Sequence, residues 1–430
     1  MTAAAGAFPT RQRARRAMAA LALLAFFLSM DLTLTTLLIQ PMKTDMMLSD
    51  IQVGLLQGTI FGIAFGVASL PMGRAIDRHN RVVILVIGLA IWIGAMACTA
   101  LATGTAALFV ARLALGVVAA MLIPSALSLI ADLYPPERRS VATSIFVVGQ
   151  ASGQAFGILA GGLAFDALTR AVSVHPLLLP LSPWRALYLV TALLGLVPLG
   201  LLLTIHEPVR QERRAERTDL RAALGGLWEL RGFLIPLLLA MLFVQITMQA
   251  TSVWSAPILM RSYNQSPGQF AGWLGAVTLG GGIVGAFAGG RLGEVGRNSG
   301  SRARVLLPAL AASVAIAPLS LYAVMPSLGA FGVMLALDLV AAAMVATLGI
   351  VAITLNVPNE LRGLALGCNV FVSTVFGTAT ASPVIALVSG ALGGETRLGL
   401  GIVVVSVPSA VLGALCFAVA MRARLAPVPQ

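Results

Sequence analysis

Residues 11–40 read RQRARRAMAALALLAFFLSMDLTLTTLLIQ. Four arginines within six positions give way to 24 residues that carry one charge, Asp31. As a helix rising 1.5 Å per residue, that run is about 36 Å long, enough to cross the ~30 Å hydrocarbon core of a bilayer. A secretory signal peptide also opens on basic residues, but its apolar region ends after roughly 7–15 residues. Here the run continues to Gln40, so it reads as an uncleaved first membrane span.

The same pattern recurs along the chain. Further apolar runs lie at 51–72, 82–103, 105–131, 141–165 and 185–205, then at 232–258, 269–290, 305–325, 328–354, 363–391 and 398–421. Of 430 residues, 58% are hydrophobic and 10% charged, with a mean hydropathy of +0.95. Soluble domains carry about 25% charged residues. A soluble surface this apolar would aggregate, whereas a bilayer solvates it. In lipid every backbone polar group must be paired internally, which leaves helices or closed barrels. Runs of this length fit helices and not the alternating strands of about 10 residues that barrels use. The expected fold is therefore an all-α integral membrane protein with twelve spans in two six-helix bundles. The expected organisation is a basic N-terminus at 1–16, a bundle at 17–205, a linker at 206–231, a second bundle at 232–421 and a tail at 422–430.

Twelve spans place both termini on one face. If that face is cytoplasmic, 22 of the 28 lysines and arginines lie on it. The opposite loops hold five, namely Lys43, Arg170, Arg185, Arg261 and Arg397, and Arg112 lies inside a span. This is the positive-inside distribution, and it points to a multi-pass protein of the cell's inner (plasma) membrane with cytoplasmic termini. The net charge of +12 does not indicate nucleic acid, because the arginines form short clusters between spans and no basic domain. Cys98, Cys368 and Cys416 lie in apolar runs without metal-ligand spacing and read as small packing residues. The chain contains no phosphate-binding loop, dinucleotide fingerprint or HExxH pattern, so no cofactor, no metal and no enzyme activity are expected.

The two halves repeat. Gly73-Arg-Ala-Ile-Asp-Arg-His-Asn-Arg81 follows the second span and Gly290-Arg-Leu-Gly-Glu-Val-Gly-Arg297 the eighth, 217 positions on. Pro135-Pro-Glu137-Arg-Arg139 follows the fourth span and Pro358-Asn-Glu360-Leu-Arg362 the tenth, 223 on. Two loop matches at nearly one offset argue for a duplicated six-helix unit.

Gly73 to Arg81 resembles the loop signature of major facilitator transporters, G-x-x-x-D-R-x-x-R, with Asn80 at the place of a second glycine. Leu48-Ser-Asp-Ile-Gln-Val-Gly-Leu-Leu56, Pro71-Met-Gly73, Pro124-Ser-Ala-Leu-Ser-Leu-Ile-Ala-Asp132 and Trp254-Ser-Ala-Pro257 with Arg261 are similar to the Spinster-like branch. The resemblance implies alternating access, with the halves rocking about the linker and a binding site near midplane. Its expected cargo is an amphipathic organic anion or lysolipid-like molecule, with protons as a possible coupling ion. The alternative cargo is small hydrophobic organic compounds or drugs moved in a proton-linked cycle. A lipid-acting membrane enzyme lacks a nucleophile–base pair in the spans, and a non-transporting sensor would need a soluble domain or long tail. A monomer is expected. One departure concerns coupling: where such relatives carry an acid after the fourth-span arginine, this chain reads Gly116-Val-Val-Ala-Ala120.

Charges inside spans cost roughly 2.5–3.5 kcal/mol on insertion scales, which makes Asp31, Arg112 and Asp338 the first functional candidates. Asp31 lies nine residues before Gln40, about 13 Å from that end, and Arg112 seven residues after Thr105, about 11 Å from the same face. The depths match, so the two are expected to meet. There they would bind substrate charge or a proton, since burial favours the neutral acid and a nearby arginine favours the carboxylate. The plainer reading is a static ion pair. Asp338 is expected in a cavity or in a local hydrogen bond. Polar candidates for a cavity lining are Gln150, Gln154, Gln245, Gln249, Asn369 and Ser373, with Trp254 and Met248 adding apolar surface; each also reads as interhelical glue.

In the loop signature, Gly73 is expected to admit a close backbone. The resemblance implies that Asp77 faces the start of the eleventh span near Gly363. Arg74, Arg78 and Arg81 would pair with acids or lipid head groups, and together these residues read as a conformational gate or as plain positive-inside anchoring. Gly149, Gly153, Gly157, Gly161 and Gly162 form one face of the fifth span and are expected to allow close helix packing. His79, His175 and His206 sit in loops, and none is placed as a proton relay.

Overall fold

The computed structural model describes residues 8–174, 181–210, 220–298 and 302–423. His175, Arg213, Arg214, Arg217 and most of the 422–430 tail lie outside the described residues. Among those described, twelve helices are long and apolar enough to cross a membrane. They are α1 (Arg11–Asp45), α2 (Asp50–Arg78), α3 (Arg81–Ala100), α4 (Thr105–Leu133), α5 (Glu137–Ser173), α6 (Pro183–Leu203), α7 (Arg231–Ser262), α8 (Pro267–Gly296), α9 (Val305–Val324), α10 (Leu328–Asn356), α11 (Asn359–Ala391) and α12 (Glu395–Arg422). A short helix, Leu220–Glu229, precedes α7. Several helices outrun the apolar runs that announce them, α1 from Arg11 and α5 to Ser173. Hydropathy marks the part of a helix that suits hydrocarbon, while backbone hydrogen bonding continues through polar ends.

Local chemistry fixes the starts. Ser49 Oγ accepts from the Gln52 amide at 3.2 Å and Gln52 Oε1 accepts from the Ser49 amide at 2.8 Å, a capping box that opens α2. Asn80, the residue at the glycine position of the loop signature, caps α3 by accepting from the Val83 amide at 3.0 Å. Two helices contain π-helical turns, Leu55–Thr59 in α2 and Ser373–Thr378 in α11. Such turns concentrate at functional sites.

The chain divides into two compact units. The first comprises Met1–Leu48, Ile60–Glu216 and Ser266–Gly275. In it α1 lies along α5, and α2 and α3 pack on α4. A Cβ on Gly149, Gly153 or Gly157 would meet the backbone of Ala22, Phe26 or Met30 in α1, and one on Gly161 would meet Leu34. A Cβ on Gly162 would meet Ala271 and Pro267, and one on Gly116 the α2 backbone at Phe61. Small residues thus set the helix spacing, as they do where lipid removes the hydrophobic drive for helix association.

The second unit comprises Ser49–Thr59, Arg217–Gln265 and Ala276–Gln430. Here α7 and α9 pack on α12, and α10 packs on α9. Phe233, Leu237, Val345, Leu348 and Phe417 belong to its aliphatic and aromatic core. A second glycine stripe, Gly281, Gly285, Gly289 and Gly293 of α8, packs against Leu339, Val340, Met344 and Val351 of α10. The first turns of α2 belong to this unit: Gly54 lies against the Ser382–Pro383 backbone, and Thr59 Oγ1 donates to the Ala379 carbonyl at 2.6 Å. Large apolar side chains such as Val67, Leu70, Leu163, Phe287 and Leu415 are exposed, as a lipid solvent allows.

Candidate functional site

The first unit brings Asp31 and Arg112 into one buried cluster, each about 3% exposed. They meet through Thr35 rather than directly. Arg112 Nη2 donates to Thr35 Oγ1 at 2.6 Å, and Thr35 donates to Asp31 Oδ1 at 3.2 Å. The Tyr188 hydroxyl of α6 donates to Thr35 at 2.7 Å, and Arg112 Nη2 also reaches that hydroxyl at 3.4 Å. Thr35 therefore uses both lone pairs and its one proton, the full capacity of a hydroxyl. Arg112 and Trp92 are the other neighbours of the Asp31 carboxyl. The arrangement can exchange a proton at Asp31 while Arg112 keeps its charge. Thr35 had a sequence signal, one helical turn from Asp31 on the same face; Tyr188 had none.

The second unit holds a cavity of about 230 Å³ lined from α7, α10 and α11. Its walls are Met241, Met248, Val345, Ile350 and similar side chains, with Gln245, Asn369, Ser373 and Thr374 as the polar groups. Four of the predicted lining residues, Gln245, Met248, Asn369 and Ser373, thus share one pocket. Asn369 is buried with no partner for Oδ1 among the described residues, and Gln245 Nε2 donates to Thr378 Oγ1 at 3.3 Å. One predicted candidate is corrected. Trp254 is fully buried in the packed interior and offers a ligand no surface. Gln249 is half-buried and is not among the residues that line this pocket. In the first unit Gln150 is half-buried and Gln154 exposed, with only the Gln154 carbonyl engaged, accepting from Thr33 at 3.1 Å.

Asp338 is 2% exposed. Thr251 Oγ1 donates to its Oδ2 at 3.2 Å, and the Tyr322 hydroxyl donates to Thr251 at 3.2 Å. Thr251 stands 216 positions after Thr35, close to the repeat spacing. Each half thus carries a threonine that accepts from a tyrosine and donates to a buried aspartate.

At the loop signature, Arg81 differs from its neighbours. It is buried at 2% exposure, with Nη1 2.5 Å from Asp132 and Nε 2.7 Å from Glu207. Arg74, Asp77 and Arg78 are exposed, while Arg210 donates to the carbonyls of Ile76, Asp77 and His79 at the end of α2. Gly73 is a correction: a Cβ there would meet nothing within 4 Å, so no close backbone approach requires glycine in this conformation. The other end of α2 joins two of the motifs quoted above. Asp50 and Arg261 form a bidentate pair at 2.8 Å in each arm.

Comparison with known proteins agrees with this geometry. The family model for the Major Facilitator Superfamily matches residues 21–381. No curated protein matches the chain significantly. Among solved structures, the chain resembles a bacterial homologue of the human lysosomal transporter Spinster in its inward-facing unoccupied and occupied conformations. Each shows a TM-score of 0.81 at 23% identity over 98% of this chain and 100% of that one. It also resembles a mutant of the nucleoside transporter NupG, with a TM-score of 0.71 at 14% identity over 95% of this chain and 100% of that one. These likenesses concern the fold, while the family match covers most of the sequence. Twelve spans, a duplicated six-helix unit and that match place the chain in the Major Facilitator Superfamily of membrane transporters.

Proposed function

We propose that the protein is a secondary transporter that moves a single-chain amphipathic anion, such as a lysolipid or a long organic acid, by alternating access. The observation that carries this reading is the α7–α10–α11 cavity. Its methionines and aliphatic side chains suit an alkyl chain, because methionine adapts to irregular apolar shapes. Its few polar groups are neutral amides and hydroxyls, which orient a ligand without binding a second charge. At about 230 Å³ it is smaller than pockets that enclose a whole drug-sized ligand, so it accommodates one part of the cargo.

The first half, taken by itself, holds a buried guanidinium, that of Arg112. Protonation of Asp31 would leave that cation without its counter-charge and ready for an anionic head group; loss of the proton would reverse this. Proton coupling is thus part of the proposal. The relative's inward-facing structures support alternation on this fold. The distribution of basic residues supports a cytoplasmic location of both termini. A second reading, transport of neutral hydrophobic compounds, draws on the same charge-free pocket walls.

The test uses purified protein. Thermal unfolding is followed with a single-chain anionic lysolipid, its soluble head group alone, and a neutral hydrophobic compound of equal chain length; a true ligand stabilises by mass action. The amphipathic anion is expected to stabilise most and to enter liposomes in a manner sensitive to a pH gradient. Stabilisation by the neutral compound alone would favour the second reading, and no transport of the anion would reject the first.

A further inference from the structure

We infer that Asp338 is a proton-binding site of the second half, distinct from the Asp31–Arg112 cluster. The two halves share one motif and differ in its charge balance. Both build a tyrosine–threonine–aspartate chain of hydrogen bonds, Tyr188–Thr35–Asp31 and Tyr322–Thr251–Asp338. In the first, Arg112 joins the chain and balances the carboxylate. In the second, the fourth-helix arginine maps by the repeat spacing to Leu335, which is fully buried. Asp338 thus keeps the hydroxyl partners and lacks the cation.

No charged group on the packed elements replaces it. Asp338 is the sole titratable residue of α10, and Tyr322 that of α9. Helix α7 contributes Thr251 and Ser255, and its nearest charge, Arg261, lies ten residues on, about 15 Å along the axis, held by Asp50. Helices α8 and α11 carry theirs near their ends, at Arg291, Glu294, Glu360 and Arg362. An ionised carboxylate here would be a buried charge without compensation, which proteins avoid by neutralising the group. Oδ1 of Asp338 is buried and has no hydrogen-bond partner among the described residues, so it is the atom that carries the proton. A sodium ion fits less well. Both hydroxyl protons already point along the chain toward the carboxyl, which leaves too few free oxygens for a coordination shell.

In the transport cycle the O–H bond of the neutral acid breaks when water reaches Oδ1, and the proton leaves with that water. The carboxylate then persists only while hydrated. The second half would thus respond to the proton without any substrate charge.

The experiment is infrared difference spectroscopy of the full chain in lipid, switched between mildly acidic and mildly alkaline buffer. The neutral-carboxyl C=O band should vanish reversibly on alkalinisation. It should be retained in Asp31→Asn, which removes any band of that second carboxyl, and in that background it should be lost on Asp338→Asn and shifted on Asp338→Glu. Potassium in place of sodium should change nothing. A band that survives Asp338→Asn in the Asp31→Asn background, a band there that does not respond to pH, or a dependence on sodium would each overturn the proposal. The assay reads the carboxyl itself and needs no substrate, so its outcome is independent of the cargo proposed above.

Discussion

Thr35 is the joint on which the first-half cluster turns. Asp31 and Arg112 were legible in the sequence because a charge inside a span is costly and rare, and counting residues from each helix end placed them at one depth. Thr35 carried the weaker signal of standing one helical turn from Asp31, and Tyr188 carried none, because a neutral hydroxyl has no charge cost and Tyr188 arrives from α6 through tertiary packing alone. Yet the hydroxyl holds the charges apart at hydrogen-bonding distance and keeps both satisfied. Thr35→Val preserves shape and removes all three bonds. It is expected to cost about 1–3 kcal/mol, the price of leaving buried polar partners unmade. It should also flatten the pH dependence of transport. Tyr188→Phe removes the donation to Thr35 and the longer bond from Arg112, leaves the Arg112–Thr35–Asp31 link, and should retain coupling. The check is paired thermal unfolding and liposome transport across pH. A Thr35→Val protein with an unchanged pH profile would show that the threonine only packs.

At the scale of elements, glycine does two different things in this chain, and substitution separates them. The stripe on α5 was legible from its spacing of four, and Cβ atoms on Gly149, Gly153 and Gly157 would fall on the α1 backbone. The stripe on α8 has the same spacing and was equally open to reading; it packs on α10. Gly153→Ala and Gly285→Ala each push a methyl into a carbonyl of the neighbouring helix. Each is expected to destabilise by about 1–3 kcal/mol, as overpacking does. Gly73→Ala has open space and should change stability by less than about 0.5 kcal/mol. Melting temperatures in detergent decide this; a Gly73→Ala penalty as large as that of Gly153→Ala would argue for a close approach there. The π-helical turns at Leu55–Thr59 and Ser373–Thr378 were not legible, because they reflect a shift in hydrogen-bond register and leave no trace in composition. The Asp50–Arg261 pair was hidden for another reason: its partners are 211 positions apart, and both looked like ordinary loop charges.

For the whole molecule, the twelve spans followed from hydropathy because lipid imposes the same demand on every crossing, and the repeat followed from loops because duplication preserved their charges. Orientation rests on a separate force. Lys and Arg resist transfer across the membrane, so their excess marks the cytoplasmic face. The asymmetry of 22 against five is large enough that reversing the chain would expose most of its basic residues outside. The prediction is tested with single cysteines in a background where Cys98, Cys368 and Cys416 are replaced. A membrane-impermeant maleimide added to intact cells should label Met47→Cys, which is 91% exposed, and Leu392→Cys. It should spare Thr10→Cys and Val209→Cys until the cells are opened. Inverted labelling would keep the fold and reverse the orientation. Labelling of Thr10→Cys together with Leu392→Cys, but not of Met47→Cys, would break the even number of crossings. The two-fold repeat could not then be parallel, and the correspondence of Thr35 with Thr251 would be coincidence rather than descent from one duplicated unit.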